Sequence, residues 1–257
     1  IANVFLMPKH SINKILNRFN CNRTRRKKSP YENLLKVPRY TETNVKLLGN
    51  KFIISDSHSF YYNYREVFLN EIYKFDSLKN KPIIIDCGAN YGTCILYFKS
   101  IYPDAVIMGI EADPMIYSIL KKNICNNYND INLINKALSN RKGKVQFHSE
   151  GADGGRLQNM KSPKDIFEIE TVMLDDLIDG EVDFLKIDIE GEETDVILSS
   201  KKLNQVQQMF IEYHSFCKTN QLLSKLLETL TKNNFRYYIQ EIYCPPKPFL
   251  KIESKNE

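Results

Sequence analysis

Acidic side chains and one histidine follow two strand-like segments of the chain, at the points where those segments end. Asp188 and Glu190 end one segment, and Glu212 and His214 end the next. Alternate residues of a strand share one face, so neighbouring strands would bring these four side chains together at one edge of a sheet. Histidine is the side chain best matched to accepting a proton near neutral pH. His214 is therefore the candidate catalytic base, oriented by Glu212 or Asp188.

Other interpretations of the same region stay open. Asp and Glu at a strand end also bind divalent cations, which lower the pKa of a bound hydroxyl; a metal is possible here but is not predicted. Lys186 shares the face of Asp188 and Glu190. If its role is structural, it neutralises the charge of a neighbouring acid. Glu192 and Glu193 begin a predicted helix, where acids favour the positive end of the dipole, so we treat both as structural.

A glycine loop connects the first strand of the main pattern to the helix that follows. Residues 86–92 read DCGANYG, and Gly88 and Gly92 allow a tight turn. A dinucleotide-binding loop needs Gly-x-Gly-x-x-Gly, in which the second glycine admits the pyrophosphate. Asn90 occupies that position and would crowd a pyrophosphate, and Asp86 adds a negative charge that would repel it. The loop therefore predicts a ligand that carries positive charge.

Glu111 ends the second predicted strand. A carboxylate at this position can accept hydrogen bonds from both hydroxyls of a ribose. NAD sites share this feature, so Glu111 alone does not distinguish between ligand classes. Asp113 and Pro114 follow and form the signal for a helix N-terminus, which gives Asp113 a structural interpretation.

Strand and helix signals alternate from residue 82 onward, which favours βαβ units. The predicted strands of this pattern are 83–86, 106–111, 131–134, 183–188 and 207–214, and the predicted helices are 93–102, the segment after Asp113, 192–199 and the leucine stripe at 222–230. Residues 139–180 break the alternation with strands at 144–148 and 168–174 and a loop at 151–155. We expect 235–242 and 249–252 to close the sheet as an antiparallel pair. The predicted fold class is α/β, with a doubly wound, mostly parallel sheet.

The N-terminal quarter shows weaker patterns. We predict an extension or cap over residues 1–64, with a short helix near 11–19, and one main domain over 65–257. A strand-like stretch at 51–54 precedes an aromatic helix at 61–75. We expect this aromatic segment to lie over the edge or mouth of the main domain.

Composition excludes several classes of protein. The chain has 257 residues, of which 42% are hydrophobic and 26% charged. No apolar run approaches the roughly 18–20 residues that span a bilayer, so no stable membrane insertion is predicted.

The basic run at 23–28 has no interleaved aromatic residues, which argues against nucleic acid as a partner. None of the six cysteines forms a Cys-x-x-Cys pair, and buried thiols at Cys87 and Cys94 would indicate the cytoplasm.

Taken together, these stretches resemble the FkbM family of methyltransferases. The matching stretches are 84–92, 111–114, 136–139, 171–177 and 183–193. The last, which contains FLKIDIEGEE, is the most specific, although the family commonly has Ala where Glu192 stands. The resemblance covers roughly residues 65–240 and leaves the N-terminal segment outside it.

The resemblance implies a class I methyltransferase sheet and S-adenosylmethionine as the methyl donor, which fits the positively charged ligand expected above. It implies that Asp86, Gly88, Asn90 and Gly92 form the methionine side of the site. Glu111 would bind the ribose, and Ala137 would lie where the adenine pocket should be.

The resemblance further implies an acceptor hydroxyl on a sugar or secondary metabolite. We expect a carbohydrate, either a nucleotide-activated sugar or a surface polysaccharide precursor, contacted by the segments 58–64 and 151–155. The alternatives are a non-sugar secondary metabolite as acceptor, a NAD-dependent sugar-modifying Rossmann enzyme, and a non-catalytic nucleotide-binding module. The oligomeric state is not predicted.

Overall fold

The structure is a computed structural model that describes residues 2–7, 28–125, 128, 130–152, 154–155, 157, 165–215 and 220–241, of which 2–7 and 241 are described by backbone alone. The helix predicted near 11–19, most of the basic run and the strand predicted at 249–252 lie outside these residues. No helix in the described ranges is long and apolar enough to cross a membrane.

The strands and helices of the described residues form an α/β fold. The strands are β1 (Ala2–Met7), β2 (Thr43–Leu47), β3 (Asn50–Ile54), β4 (Ile83–Cys87), β5 (Val106–Ile110), β6 (Ile131–Ile134), β7 (Ala137–Leu138), β8 (Lys144–Ser149), β9 (Asp165–Val172), β10 (Val182–Ile187), β11 (Val206–Tyr213) and β12 (Arg236–Glu241). The helices are α1 (Ser57–Tyr64), α2 (Thr93–Ile101), α3 (Pro114–Ile124), α4 (Leu174–Leu177), α5 (Glu193–Ser199) and α6 (Leu223–Lys232). Shorter 3-10 turns are Glu32–Lys36 and Leu203–Gln205, and Arg65–Leu69 is a π-helical turn.

The central sheet of the described chain has seven strands in the order β12-β1-β11-β10-β4-β5-β6. The pairs from β11 to β6 are parallel, and β1 is antiparallel to both of its neighbours. The predicted doubly wound, mostly parallel sheet is therefore confirmed. The chain runs outward from β4 in one direction and from β10 in the other, so the switch point lies between these two strands, where such folds bind ligands.

Both faces of the sheet are covered, as a parallel sheet requires. Ile84 and Phe184 pack on the side of α2 and α3, while Ile85 and Leu185, which point the opposite way, pack on the side of α4, α5 and α6. All six residues of β10 are buried. Asp113 caps α3 by accepting hydrogen bonds from the next turn, as its sequence signal predicted.

The N-terminal segment contributes more to the fold than its weak sequence patterns indicated. The β1 strand lies inside the central sheet, between β11 and β12; the sequence analysis predicted no strand there. The aromatic segment at 61–75 packs on the sheet. The ring of Phe75 stacks on that of Phe184, with ring centroids 4.6 Å apart. These contacts hold α1 and the π-helical turn over the carboxyl ends of the strands.

Three strands between residues 137 and 172 form a separate sheet in the order β7-β9-β8. The antiparallel strands β8 and β9 pair from Lys144 to Ser149, close to the two strands that the sequence predicted. Hydrogen bonds fix the loop that follows β8: the Ser149 hydroxyl bonds to the Asp113 carboxylate, and the Ser55 hydroxyl donates to the Gly151 carbonyl at 2.7 Å.

Gly88 sits where β4 meets the end of β10. Its φ is +84°, and a Cβ atom added to it would lie 1.8 Å from the carbonyl oxygen of Asp188. The turn therefore requires glycine because of both backbone conformation and a close approach. Gly180, before β10, has nearly the same φ of +88° but no atom within 4 Å of an added Cβ.

These two glycines make a matched test of strand packing. Gly180→Ala should lower the free energy of unfolding by about 1–2 kcal/mol, the usual cost of a left-handed conformation. Gly88→Ala should lower it by at least about 2 kcal/mol more, because the methyl group forces the ends of β4 and β10 apart. Urea denaturation measures both values, and equal losses in the two variants would contradict the close approach.

Candidate functional site

A buried lysine joins the ends of β4 and β10. The ammonium of Lys186 lies 3.2 Å from the Asp86 carboxylate and 3.3 Å from that of Asp188, and it donates a hydrogen bond to the Gly88 carbonyl at 2.9 Å. Burial lowers the pKa of Lys186, but the charges of Asp86 and Asp188 outweigh this effect and hold its pKa well above the usual value. Lys186 therefore neutralises the charges of neighbouring carboxylates, which is the structural role that the sequence analysis considered for it.

Asp86 differs from its predicted position. It is fully buried under Lys186 and does not line the cavity at the switch point. The carboxylate that lines the cavity is Asp188, whose side chain is 26% exposed. The structure thus corrects the expected contact between Asp86 and a cationic ligand. The strand register pairs Asp86 with Lys186 inside the sheet. Asp188, two residues after Lys186, lines the cavity instead.

The backbone N–H groups of the glycine loop are already used within the protein. Those of Gly88 and Ala89 donate to the Ile110 carbonyl, that of Asn90 to Glu111, that of Tyr91 to the Asn90 side chain and that of Gly92 to the Ala89 carbonyl, at 2.6–2.9 Å. A phosphate site at a helix N-terminus needs such groups to point at the ligand. From residue 88 to residue 92, this loop therefore lacks the donors that hold a pyrophosphate.

Glu111 connects the loop to the start of α3. Its two carboxylate oxygens accept hydrogen bonds from the backbone N–H groups of Asn90 and Asp113, each at 2.9 Å. Burial raises the pKa of Glu111 to about 7, although these two hydrogen bonds oppose the shift. A carboxylate has about four lone-pair sites, so Glu111 can still accept from two ligand hydroxyls, and it lines the cavity.

The cavity at the switch point has a volume of about 290 Å³ and chemically different ends. One end is apolar, and its two alanines leave room for a flat ring; the lining residues there are Ala112, Ala137, Leu138, Phe147 and Leu157. The other end is acidic: Glu66, Asp188, Glu190 and Glu212. Gly88, Asn90 and Glu111 line it as well. The cavity can therefore take an elongated ligand with an apolar ring, a diol and a cationic group.

The N-terminal segment forms part of the cavity wall. Ser59, Tyr62 and Asn63 of α1 line it together with Glu66 of the π-helical turn, so the aromatic segment lies at the mouth as predicted. π-Helical turns are frequent at functional sites. Ala152 and Gly155 of the loop after β8 also line the cavity; Gly155 packs against Phe147, which places this loop with the apolar end.

His214 lies behind the acidic wall and is 7% exposed. Its Nδ1 atom is 2.9 Å from the Glu193 carboxylate, and its Nε2 atom is 3.4 Å from Glu190 and 4.0 Å from Glu212. Burial lowers the pKa of His214, but the Glu193 hydrogen bond and the charges of Glu190, Glu193 and Asp188 raise it to about 10. Burial and the charge of Asp188 raise the pKa of Glu212 to about 9.

The predicted acidic cluster is thus assembled, with one difference in its contacts. The partner that contacts Nδ1 is Glu193, which the sequence analysis treated as structural, rather than Glu212 or Asp188. Gly92 lies outside the cavity lining, where its positive φ begins α2. Asp188, Glu190 and His214 also bring ligand atoms within 4.8 Å of one another, so they could hold a divalent cation, the alternative that the sequence left open.

Comparisons with known proteins agree with the sequence resemblance. A family model described as the methyltransferase FkbM domain matches residues 86–237. The methyltransferase sdnD of Sordaria araneosa is 39% identical over 64 residues, which are 25% of each chain. The 2-O-methyltransferase NoeI of Sinorhizobium fredii is 26% identical over 157 residues, covering 52% of this chain and 64% of that protein. The chain thus spans less than two thirds of these curated relatives.

Among solved structures, that of a methyltransferase FkbM from Methylobacillus flagellatus aligns with a TM-score of 0.41 and 18% identity, over 57% of this chain and 37% of that one. The family match includes the glycine loop and the carboxylates at the ends of β10 and β11. It begins after α1 and the π-helical turn, so one wall of the cavity comes from residues outside it.

Proposed function

The chain belongs to the FkbM family of methyltransferases, and on that premise we propose that it transfers a methyl group from S-adenosylmethionine to a hydroxyl of a carbohydrate. The observation that carries the proposal is the cavity at the switch point, which joins an apolar ring pocket to an acidic end. S-adenosylmethionine has matching parts, because it carries an adenine, a ribose diol, a sulfonium and an ammonium.

The residues present fit this donor. Ala137 and Leu138 would flank the adenine, Glu111 would accept hydrogen bonds from the ribose hydroxyls, and Asp188 would face the cationic methionine end. When bound, S-adenosylmethionine supplies an electrophilic methyl group on a sulfonium. The loop that lacks free N–H donors has no comparable fit to the pyrophosphate of NAD, so no observation favours the dehydrogenase alternative.

The acceptor would enter past α1. Tyr62 is 58% exposed at the mouth, and its ring offers a flat surface for the apolar face of a sugar. Ser59, Asn63 and Glu66 offer hydrogen-bonding groups that could orient hydroxyls. A hydroxyl acceptor also agrees with the name of NoeI, a 2-O-methyltransferase. A nucleotide-activated sugar or a polysaccharide precursor is the proposed carbohydrate.

The acidic end would receive the proton that the acceptor hydroxyl loses. Glu212 lines the cavity and His214 stands behind it. Their raised pKa values keep a proton on both groups at neutral pH, and a cationic donor beside them would lower both pKa values, so with the donor bound the pair can take the proton as the new carbon–oxygen bond forms and the carbon–sulfur bond breaks. The carboxylates that raise the pKa of His214 are the groups that a cationic donor would neutralise, so donor binding favours the neutral imidazole. Holding the acceptor oxygen in line with the methyl carbon would contribute most of the acceleration.

Glu111 gives donor binding a defined pH dependence. Since the ionised carboxylate accepts the ribose hydroxyls and its pKa is about 7, protonation should weaken binding of S-adenosylhomocysteine as the pH falls from 8 to 5.5. We expect the Kd to rise toward tenfold per pH unit below about 7, measured by calorimetry. Glu111→Gln should bind weakly at every pH, and the exposed Glu168→Gln should keep the wild-type profile. A flat wild-type profile would contradict this role.

Methyl transfer itself is tested by an acceptor screen with labelled donor, covering neutral glycosides and nucleotide-activated sugars, with and without a divalent ion. With an acceptor found, His214→Gln and Glu212→Gln should each lower kcat at least about 100-fold, the usual contribution of acid–base catalysis, while the Kd for S-adenosylhomocysteine changes little. His148→Gln, at another buried histidine, is the matched control. Unchanged kcat in both site variants would remove the pair from the mechanism.

A further inference from the structure

We infer that Glu193 is a positioning residue for the acidic end of the cavity, and that its carboxylate aims His214 and fixes the loop that carries Glu190. The inference rests on the proposed function, because the positioned groups are those that would receive the acceptor's proton. Glu193 itself does not line the cavity, so it acts through other residues and would not touch either substrate.

Three donors converge on one oxygen of Glu193. The Oε1 atom is 2.9 Å from His214 Nδ1, and it accepts hydrogen bonds from the backbone N–H groups of Gly191 at 2.9 Å and Ile189 at 3.3 Å. The side chain is only 1% exposed, so these contacts replace the water that a glutamate normally has. Charge-assisted hydrogen bonds of this kind are stronger than neutral ones, and their convergence favours a carboxylate at this position.

The contact with Nδ1 decides which nitrogen faces the acidic end. An ionised carboxylate can only accept, so Nδ1 must be the donor, and Nε2 is left facing Glu190 and Glu212. A histidine without this partner could rotate or carry its proton on the other nitrogen. Glu193 therefore sets both the ring orientation and the nitrogen available for proton exchange.

The same carboxylate holds an unusual backbone turn. Glu190 has a φ of +59° and Gly191 a φ of +122°, conformations that L residues rarely adopt and that the surrounding structure must stabilise. The hydrogen bonds from Ile189 and Gly191 flank Glu190 on both sides. Glu193 thus connects the end of β10 to the end of β11 and places the side chains of Glu190 and His214 relative to each other.

The neighbouring Glu192 provides a matched control. Both glutamates stand at the start of α5, so a role in the helix dipole predicts similar effects from either substitution. The positioning role predicts an effect from Glu193 alone. Glu193→Gln is the informative change, because the amide oxygen can still accept from the two backbone N–H groups, while the charge-assisted bond to Nδ1–H becomes a weaker neutral one.

The experiment combines NMR of ¹⁵N-histidine-labelled protein with kinetics. The chain has four histidines, so the spectrum is simple. Wild type and Glu192→Gln should show a downfield Nδ1–H signal of His214 that exchanges slowly with water. Glu193→Gln should lose that signal or exchange it at least about tenfold faster, and its kcat should fall at least about tenfold, while the Kd for S-adenosylhomocysteine stays within about twofold because the loop is retained.

Each outcome decides a separate claim. Wild-type exchange and kcat in Glu193→Gln, or equal losses in Glu192→Gln, would overturn the inference. If Glu193→Gln does not fold, Glu193→Asp replaces it: the shorter side chain keeps the charge but withdraws it from Nδ1, so the protected signal should again disappear, and its persistence would count against the inference. A wild-type protein that shows the signal but methylates nothing would refute the proposed function and leave the Glu193 contact standing.

Discussion

The ammonium of Lys186 is the interaction on which the site depends, because it holds the ends of the two central strands together. It bridges Asp86 and Asp188 and also donates a hydrogen bond to the Gly88 carbonyl. Removing one member of a buried ion pair typically costs about 3–5 kcal/mol, so the lysine and Asp86 need each other. Their pairing leaves Asp188 at the cavity wall and turns the glycine loop away from a phosphate-binding geometry.

Charge and backbone donors together determine which ligand the switch point can accept. Other doubly wound proteins bind phosphate there with free N–H groups. Here the N–H groups of residues 88–92 donate to acceptors within the protein, and carboxylates line the adjoining wall of the cavity. Glu111 serves both purposes, since it accepts from the loop and can accept from a ribose. The cavity consequently favours a nucleoside with a positive charge and disfavours a diphosphate.

The sequence predicted the main elements well, because the apolar strands and the Asp113–Pro114 cap are local signals. It also placed Asn90, Glu111, Ala137, Asp188 and Glu212 at positions that line one cavity. It could not predict that Asp86 pairs with Lys186 rather than facing the cavity, since that follows from strand register. Glu193 was missed for a similar reason: its partner His214 lies 21 residues away, and a glutamate at a helix start has an ordinary local explanation. The β1 strand was missed because its partners β11 and β12 are distant in sequence.

Titration calorimetry with S-adenosylhomocysteine and with NAD is the most direct test of this charge-based account. The account predicts saturable, one-to-one binding of S-adenosylhomocysteine and no binding of NAD under the same conditions. Saturable binding of NAD, with no affinity for S-adenosylhomocysteine, would show that the loop does accept a pyrophosphate and would contradict the central claim.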